Sequence, residues 1–366
     1  KLADIFGPRI VMTIVCVVWS LFTALTGVVR GWLPMVGLRF LFGVGEAGGY
    51  PTLARAFYSW LPMNERGIAN SISFSGGRLG AALAMPGVVL LINMLNGWQK
   101  TFWFLGGIGI LFAIVWFSLF RKTPETHFAV SDREQDYIVE SRRPSEKTEI
   151  EYREEVSLGF REMLSSPNLQ MLMVQYVAHN FTFFFTVTWF FPYLRDIYTL
   201  SEQQTAWYTA APLLCGVLGN WLAGFTVDRL FSRGRWRLSR GLPASIGFVL
   251  AAVGMTLCVN MDTPEKTVAS MCVAIFGSDM ILSPSWSTCM DIGEKNAGVV
   301  SGAMNMVGNL GAFVTSLAFP YLYDWTGTHK PFFYLAAGLN LLAFFMWTRI
   351  RPDRTIQEEL TGGAIS

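Results

Sequence analysis

Five ionisable side chains stand among almost wholly apolar neighbours: Arg39, Glu46, Arg78, His179 and Asp279. Two of them share one stretch, Arg39-Phe40-Leu41-Phe42-Gly43-Val44-Gly45-Glu46-Ala47-Gly48-Gly49-Tyr50-Pro51. Their spacing is close to two helical turns, so both project from one helix face, roughly 10 Å apart along the axis. A guanidinium holds a carboxylate through paired hydrogen bonds, and a carboxyl group takes up and releases a proton. These residue types therefore permit one kind of chemistry, the binding of an anion together with a proton. Gly43, Gly45, Gly48 and Gly49 strip bulk from around Glu46 and admit another helix or a ligand. Pro51 ends the local hydrogen bonding and permits a bend. Tyr50, Asn180, Asn305 and Asn309 add polar groups to the same apolar setting.

The elements that must position these groups are membrane spans. The chain has 366 residues, 52% hydrophobic and only 15% charged, with mean hydropathy +0.38. A soluble protein carries about 25% charged residues. Apolar runs near 20 residues recur along the chain, the mark of a polytopic helical membrane protein. Ten spans are predicted, at 10–29, 35–60, 67–92, 99–120, 168–193, 204–227, 241–260, 267–289, 297–321 and 330–349. A charged interruption at 121–167, amphipathic near 150–164, separates four spans from six. A charge near the bilayer centre costs at least about 2.5–3.5 kcal/mol, so each of the five groups needs a partner or a wet cavity.

Lysine and arginine set the orientation. With the first loop inside and the spans alternating, only Arg30, Lys100, Arg195, Lys266 and Lys330 fall outside, and nearly all the rest fall inside. Both visible ends are then cytoplasmic. An internal repeat accompanies this pattern. Gly67, Gly77, Leu79, Gly80 and Ala81 match Gly298, Gly308, Leu310, Gly311 and Ala312 at an offset of 231, which sets Arg78 opposite Asn309. Glu46 and Pro51 match Asp279 and Pro284 at an offset of 233. The loop with Asp4 and Arg9 is echoed by the one with Asp228, Arg229 and Arg233. Two halves with the same helix order imply paired bundles about a central pathway.

Other classes are excluded. The five cysteines form no CxxC pair and no Cys/His cluster, so neither a metal nor a disulfide framework is expected. The Gly43-Val44-Gly45-Glu46-Ala47-Gly48 run follows no strand and is no phosphate loop. No nucleophile–base pair or cofactor fingerprint is present, so neither an enzyme nor a cofactor is expected, and no nucleic-acid partner either.

The loop Leu2-Ala3-Asp4-x-x-Gly7-x-Arg9, its copy Gly224-x-x-x-Asp228-Arg229-Leu230-x-x-Arg233, and Pro62-x-x-Glu65-Arg66-Gly67-x-Ala69 resemble loops of the major facilitator superfamily. Arg39…Glu46, Ser283-Pro284-x-Trp286 with Asp291-Ile292, and Gly302-x-x-Asn305-x-x-Gly308-Asn309-x-Gly311 resemble its anion:cation symporter family. Members carry sugar acids such as galactonate, glucarate and hexuronates, and also phosphate, sialic acid and glutamate. The resemblance implies an all-α membrane fold of two pseudo-symmetric bundles with ten of the usual twelve spans present and the first two absent. It divides the chain into an N-terminal bundle at 1–120, a cytoplasmic loop at 121–167, a C-terminal bundle at 168–350 and a tail at 351–366. It implies proton-coupled symport of an organic anion by a monomer in a bacterial inner membrane, with H⁺ or Na⁺ as the coupling ion. Under it Glu46 and Asp279 couple the proton. Arg39, Arg78, Tyr50, His179, Asn180, Asn305 and Asn309 bind substrate, and Asp4, Arg9, Asp228, Arg229 and Arg233 form a cytoplasmic gate. Asp279 departs from the family pattern, which has a neutral polar residue there.

Plainer readings stand beside these. Arg39 with Glu46, or Arg78 with Asp279, could be struts; the asparagines could tie helices together. Tyr176 and Trp189 are candidate platforms for a sugar ring, and the Phe181-Thr182-Phe183-Phe184-Phe185 run reads as packing. The alternative functions are a Na⁺-coupled phosphate or organic-anion carrier, and a non-transporting membrane fragment or sensor.

Overall fold

Apolar runs punctuated by glycine and proline should form helices that end at those residues, and they do. A computed structural model of the chain describes residues 2–140 and 160–360. Lys1, residues 141–159 of the central loop and residues 361–366 of the tail lie outside the described residues. The described residues contain helices and no strand. The first part comprises α1 (Leu2–Phe6), α2 (Pro8–Thr26), α3 (Trp32–Glu46), α4 (Gly49–Trp60), α5 (Arg66–Leu95) and α6 (Trp98–Leu119). Two short helices follow, α7 (Asp132–Glu140) and α8 (Phe160–Leu164). The remainder comprises α9 (Pro167–Thr188), α10 (Phe190–Ile197), α11 (Glu202–Ser232), α12 (Trp236–Cys258), α13 (Pro264–Asp279), α14 (Leu282–Gly293), α15 (Ala297–Thr326), α16 (Lys330–Trp347) and α17 (Ile356–Leu360).

Six described stretches are long and apolar enough to cross a membrane: Pro8–Thr26, Trp98–Leu119, Glu202–Ser232, Trp236–Cys258, Pro264–Thr326 and Lys330–Trp347. The other predicted ranges fall on α3 with α4, on α5, and on α9 with α10. Two of those three are interrupted. Where 35–60 reads as continuous, α3 ends at Glu46 and α4 begins at Gly49. Pro51 has no N–H to offer the Ala47 carbonyl, and regular bonding resumes with Thr52 N–H on Gly48 O at 3.1 Å. The same break recurs one repeat later. There α13 ends at Asp279, Pro284 offers nothing to the Met280 carbonyl, and Ser285 N–H bonds Ile281 O at 3.1 Å. Each deep acid is thus the last helical residue before a proline-induced joint. Pro192 explains the break at Trp189, between α9 and α10, in the same way.

By their contacts the residues fall into two compact units. One joins Lys1–Pro62, Leu83–Ser157 and Gly293–Gly302; the other joins Met63–Ala82, Leu158–Ile292 and Ala303–Ser366. In the first, α2 packs closely on the α3–α4 joint. A Cβ on Gly45 would come within 2.6 Å of Val18 and one on Gly48 within 2.7 Å of Val15, so these glycines admit a neighbouring helix. In the second unit an aromatic core of Phe181, Phe185, Phe190, Phe319, Phe332 and Phe333 joins α9, α10, α15 and α16. Phe181 and Phe185 fulfil the packing role expected of their run. Trp189 packs against this core, and Tyr176 is buried with its hydroxyl accepting from Trp286 Nε1 at 3.0 Å. Neither ring is an open platform.

Helices α11 and α13 touch backbone to backbone: a Cβ on Gly219 would lie 2.2 Å from the Phe276 carbonyl oxygen. Gly219→Ala should therefore destabilise the protein by about 1–3 kcal/mol, read as a lower melting temperature in detergent. Gly107→Ala, with nothing within 4 Å of its Cβ, should stay within about 0.5 kcal/mol of wild type.

Candidate functional site

A buried carboxylate needs both of its oxygens satisfied, and Asp279 has them. Arg78, on α5, donates from Nε to Asp279 Oδ2 at 2.9 Å and from Nη2 to Oδ1 at 2.8 Å. This is the bidentate arrangement that planar guanidinium and carboxylate groups favour. The Asp279 side chain is fully buried, whereas that of Arg78 is 16% exposed. Gly216 makes room for the acid: a Cβ there would sit 2.3 Å from Asp279 Oδ2. Phe183 lies beneath the pair, its ring centroid 3.5 Å from the Arg78 guanidinium carbon. That contact adds a cation–π attraction and keeps water from one face of the cation. Buried His179 stands one turn from Phe183, its Nδ1 2.9 Å from Ser278 Oγ and its ring stacked between Tyr176 and Phe183. All these residues belong to the second unit.

The other expected binding residues are placed as follows. Asn180 is buried, with Nδ2 against Gly308. Asn305 is half-buried and Asn309 exposed on α15, and neither hydrogen-bonds to the Arg78–Asp279 pair. Arg39, Glu46 and Tyr50 belong to the first unit and are exposed. Arg39 donates from Nη2 to Thr26 Oγ1 at 3.2 Å and lies near the faces of Phe42 and Phe102, at 5.5 and 5.6 Å. No ion pair joins it to Glu46, which accepts no hydrogen bond among the described residues. Of the two arginine–acid pairs that the sequence allows as struts, Arg78 with Asp279 forms and Arg39 with Glu46 does not. Their common face sets the direction of Arg39 and Glu46, but two helical turns are too far for contact.

The five expected gate residues separate into two groups. Asp4 accepts from the N–H groups of Gly298 and Val299 at 3.0 and 2.9 Å, at the start of α15, with Arg55 Nε 3.7 Å away. Asp228 accepts from those of Gly67 and Ile68 at 2.8 and 2.6 Å, at the start of α5. Each carboxylate satisfies donors that a helix N-terminus leaves free, and sits at the positive end of its dipole. Since Gly67 and Gly298 correspond in the repeat, the two contacts are copies of one another. Burial pushes the Asp4 carboxyl pKa above its ordinary value, against the lowering effect of nearby positive charge and the Gly298 N–H. The three arginines do not join the aspartates. Arg9 donates to Phe117 O at 2.9 Å and covers the Phe117 ring. Arg229 lies 5.7 Å from the Phe225 ring. Together with Arg233, Glu65 and Asp228 it lines an open cleft of about 470 Å³.

One cluster is not foreseen by the motifs. Asp291 accepts from Arg240 Nε at 2.9 Å, from Trp236 Nε1 at 3.2 Å and from Arg66 Nη1 at 3.4 Å. All three charged side chains are at most 1% exposed. Arg66 and Asp291 each occur in a quoted motif, but their pairing spans 225 residues, and Arg240 reads only as one loop cation among several.

Long apolar helices with paired charges buried among them are the build of a polytopic membrane protein. The chain belongs to the major facilitator superfamily, whose profile it matches over residues 1–316. It is 30% identical over 341 residues to a probable sulfoacetate transporter of Cupriavidus necator, covering 92% of this chain and 77% of that one. It is 29% identical over 341 residues to a probable galactarate/D-glucarate transporter of Escherichia coli, covering 89% and 75%. Its fold is similar to the solved structure of a proton:xylose symporter, with TM-score 0.73, 16% identity and coverage of 99% and 84%. The chain is a transporter and not an enzyme.

Removing the acid at the centre of the second cluster takes the negative charge from beside two buried guanidiniums. Asp291→Asn should cost about 3–5 kcal/mol, measured as loss of folded protein in detergent.

Proposed function

We propose that this chain is the carrier body of a secondary active transporter that takes up an organic anion together with a proton. The anion is a sugar acid of the galactonate, glucarate or hexuronate type. The observation that carries the reading is the contrast between the two deep acids. Asp279 is buried and held by Arg78, whereas Glu46 is exposed, without a hydrogen bond among the described residues, and on the same helix as Arg39. Glu46 can change its charge without first breaking such a bond, which suits it to carry the proton. Arg39 supplies a cation for the carboxylate of the cargo, with Arg78 as a second. Tyr50, His179, Asn180, Asn305 and Asn309 supply polar contacts to a hydroxylated chain. The relatives named for galactarate/D-glucarate and for sulfoacetate support an anionic cargo.

In this reading ten spans form two pseudo-symmetric bundles, 1–120 and 168–350, that rock about the site by alternating access. The segments 121–167 and 351–366 and both visible ends face the cytoplasm of a bacterium, and the protein is a monomer in the inner membrane. Asp4 and Asp228, with Arg9, Arg229 and Arg233 nearby, close the cytoplasmic side.

The test uses the full-length protein in liposomes that report lumenal pH. D-galactonate, D-glucarate, D-glucuronate, glutamate and phosphate are added in turn. Acidification with a sugar acid is the expected result. Na⁺-dependent uptake without acidification would instead favour the Na⁺-coupled carrier, and no flux with any anion would favour the sensor. Glu46→Gln should abolish uphill accumulation under a pH gradient; retained accumulation would remove Glu46 from the proton role.

A further inference from the structure

The cysteines make no motif in the sequence, yet the fold brings two of them together. We infer that Cys215 on α11 and Cys272 on α13 form a redox modification site, a pair of thiols that closes to a disulfide between the two helices when an organic hydroperoxide reaches them. The site goes beyond the carrier reading and is independent of the cargo.

The register of the two helices places these thiols. Tyr208 donates from its hydroxyl to Glu265 Oε1 at 3.0 Å, across a separation of 57 residues. About three turns further along, a Cβ on Gly219 would lie 2.2 Å from the Phe276 carbonyl oxygen, and this pair has the same separation in sequence. Helices that meet at two levels with one constant offset run parallel, side by side. Cys215 and Cys272 share that offset. They stand about two turns beyond the level of Tyr208 and about one turn before that of Gly219, so all three pairs lie on facing stripes of α11 and α13. The Cys272 thiol is within hydrogen-bonding reach of the Cys215 thiol. Side chains that meet in this way have the converging Cβ directions that a disulfide needs. The backbone contact at Gly219 keeps the two helices close beside them.

Cys215 and Cys272 are half-buried, whereas Cys16, Cys258 and Cys289 are buried. Susceptibility to oxidation follows exposure, so a small apolar oxidant meets this pair first. One sulfur attacks the hydroperoxide: an S–O bond forms, the O–O bond breaks and an alcohol leaves. The resulting sulfenic acid condenses with the second thiol, forming the S–S bond and releasing water. Two thiols and one hydroperoxide thus give one disulfide, one alcohol and one water, the sulfurs being oxidised and the peroxide oxygens reduced. Exchange with a small dithiol reverses the step. The bridge closes beside Gly216, where a Cβ would sit 2.3 Å from Asp279 Oδ2. It ties α13, the rod that ends at that acid, to the helix packed against it.

The experiment treats the purified full-length protein in detergent with tert-butyl hydroperoxide, then denatures it and counts alkylatable thiols by mass, with and without dithiothreitol. Wild type should lose two of its five thiols, and dithiothreitol should restore both. Digestion of the oxidised protein should release one cross-linked species that joins the segments around Cys215 and Cys272. Cys215→Ser and Cys272→Ser should each form no disulfide within the chain. Wild type that keeps all five thiols, a loss that dithiothreitol does not reverse, a cross-link through other cysteines, or one that joins two molecules would each overturn the site.

Discussion

The constraint on which the structure depends is the cost of a charge in apolar surroundings. Arg78 and Asp279 can be buried only because each cancels the other through two short hydrogen bonds. Much of the nearby sequence serves that match. Gly216 leaves room for one carboxylate oxygen, Phe183 lies against the cation, and Ser278 holds His179 at the side. The same demand explains the second buried cluster, where Asp291 gathers two arginines and an indole N–H. The two aspartate caps answer the demand with backbone donors in place of a cation.

Much of this is legible in the amino-acid sequence. Composition and apolar runs give helices near the observed limits. The repeat pairs positions whose local structure proves equivalent: Gly67 with Gly298 at the two caps, Glu46 with Asp279 at the two joints. What single-chain patterns cannot carry is which distant groups touch. Arg78 could match either acid on charge alone; its partner is settled by a separation of 201 residues in sequence that closes in space. Arg66 and Asp291 are further apart still. Arg39 and Glu46 err the other way, since a shared face suggests partners while two turns of helix keep them apart.

The glycines show the same boundary. Removing side chains at Gly45 and Gly48 can serve a ligand or a neighbouring helix, and the sequence does not choose. Val18 and Val15 fill the space, so these positions serve packing. At Gly216 the space is filled by the acid itself, so a glycine that looks like ordinary helix packing is part of the charged site.

The two prolines that follow the deep acids have a mechanical consequence. A helix missing one rung of its hydrogen-bond ladder bends more readily there than along its length. Both joints fall at equivalent points of the repeat, immediately after a carboxylate. Each acid therefore sits at a point of low stiffness, where the span bends more readily than along its length. The two breaks thus divide each of these spans into two short rods at matched places.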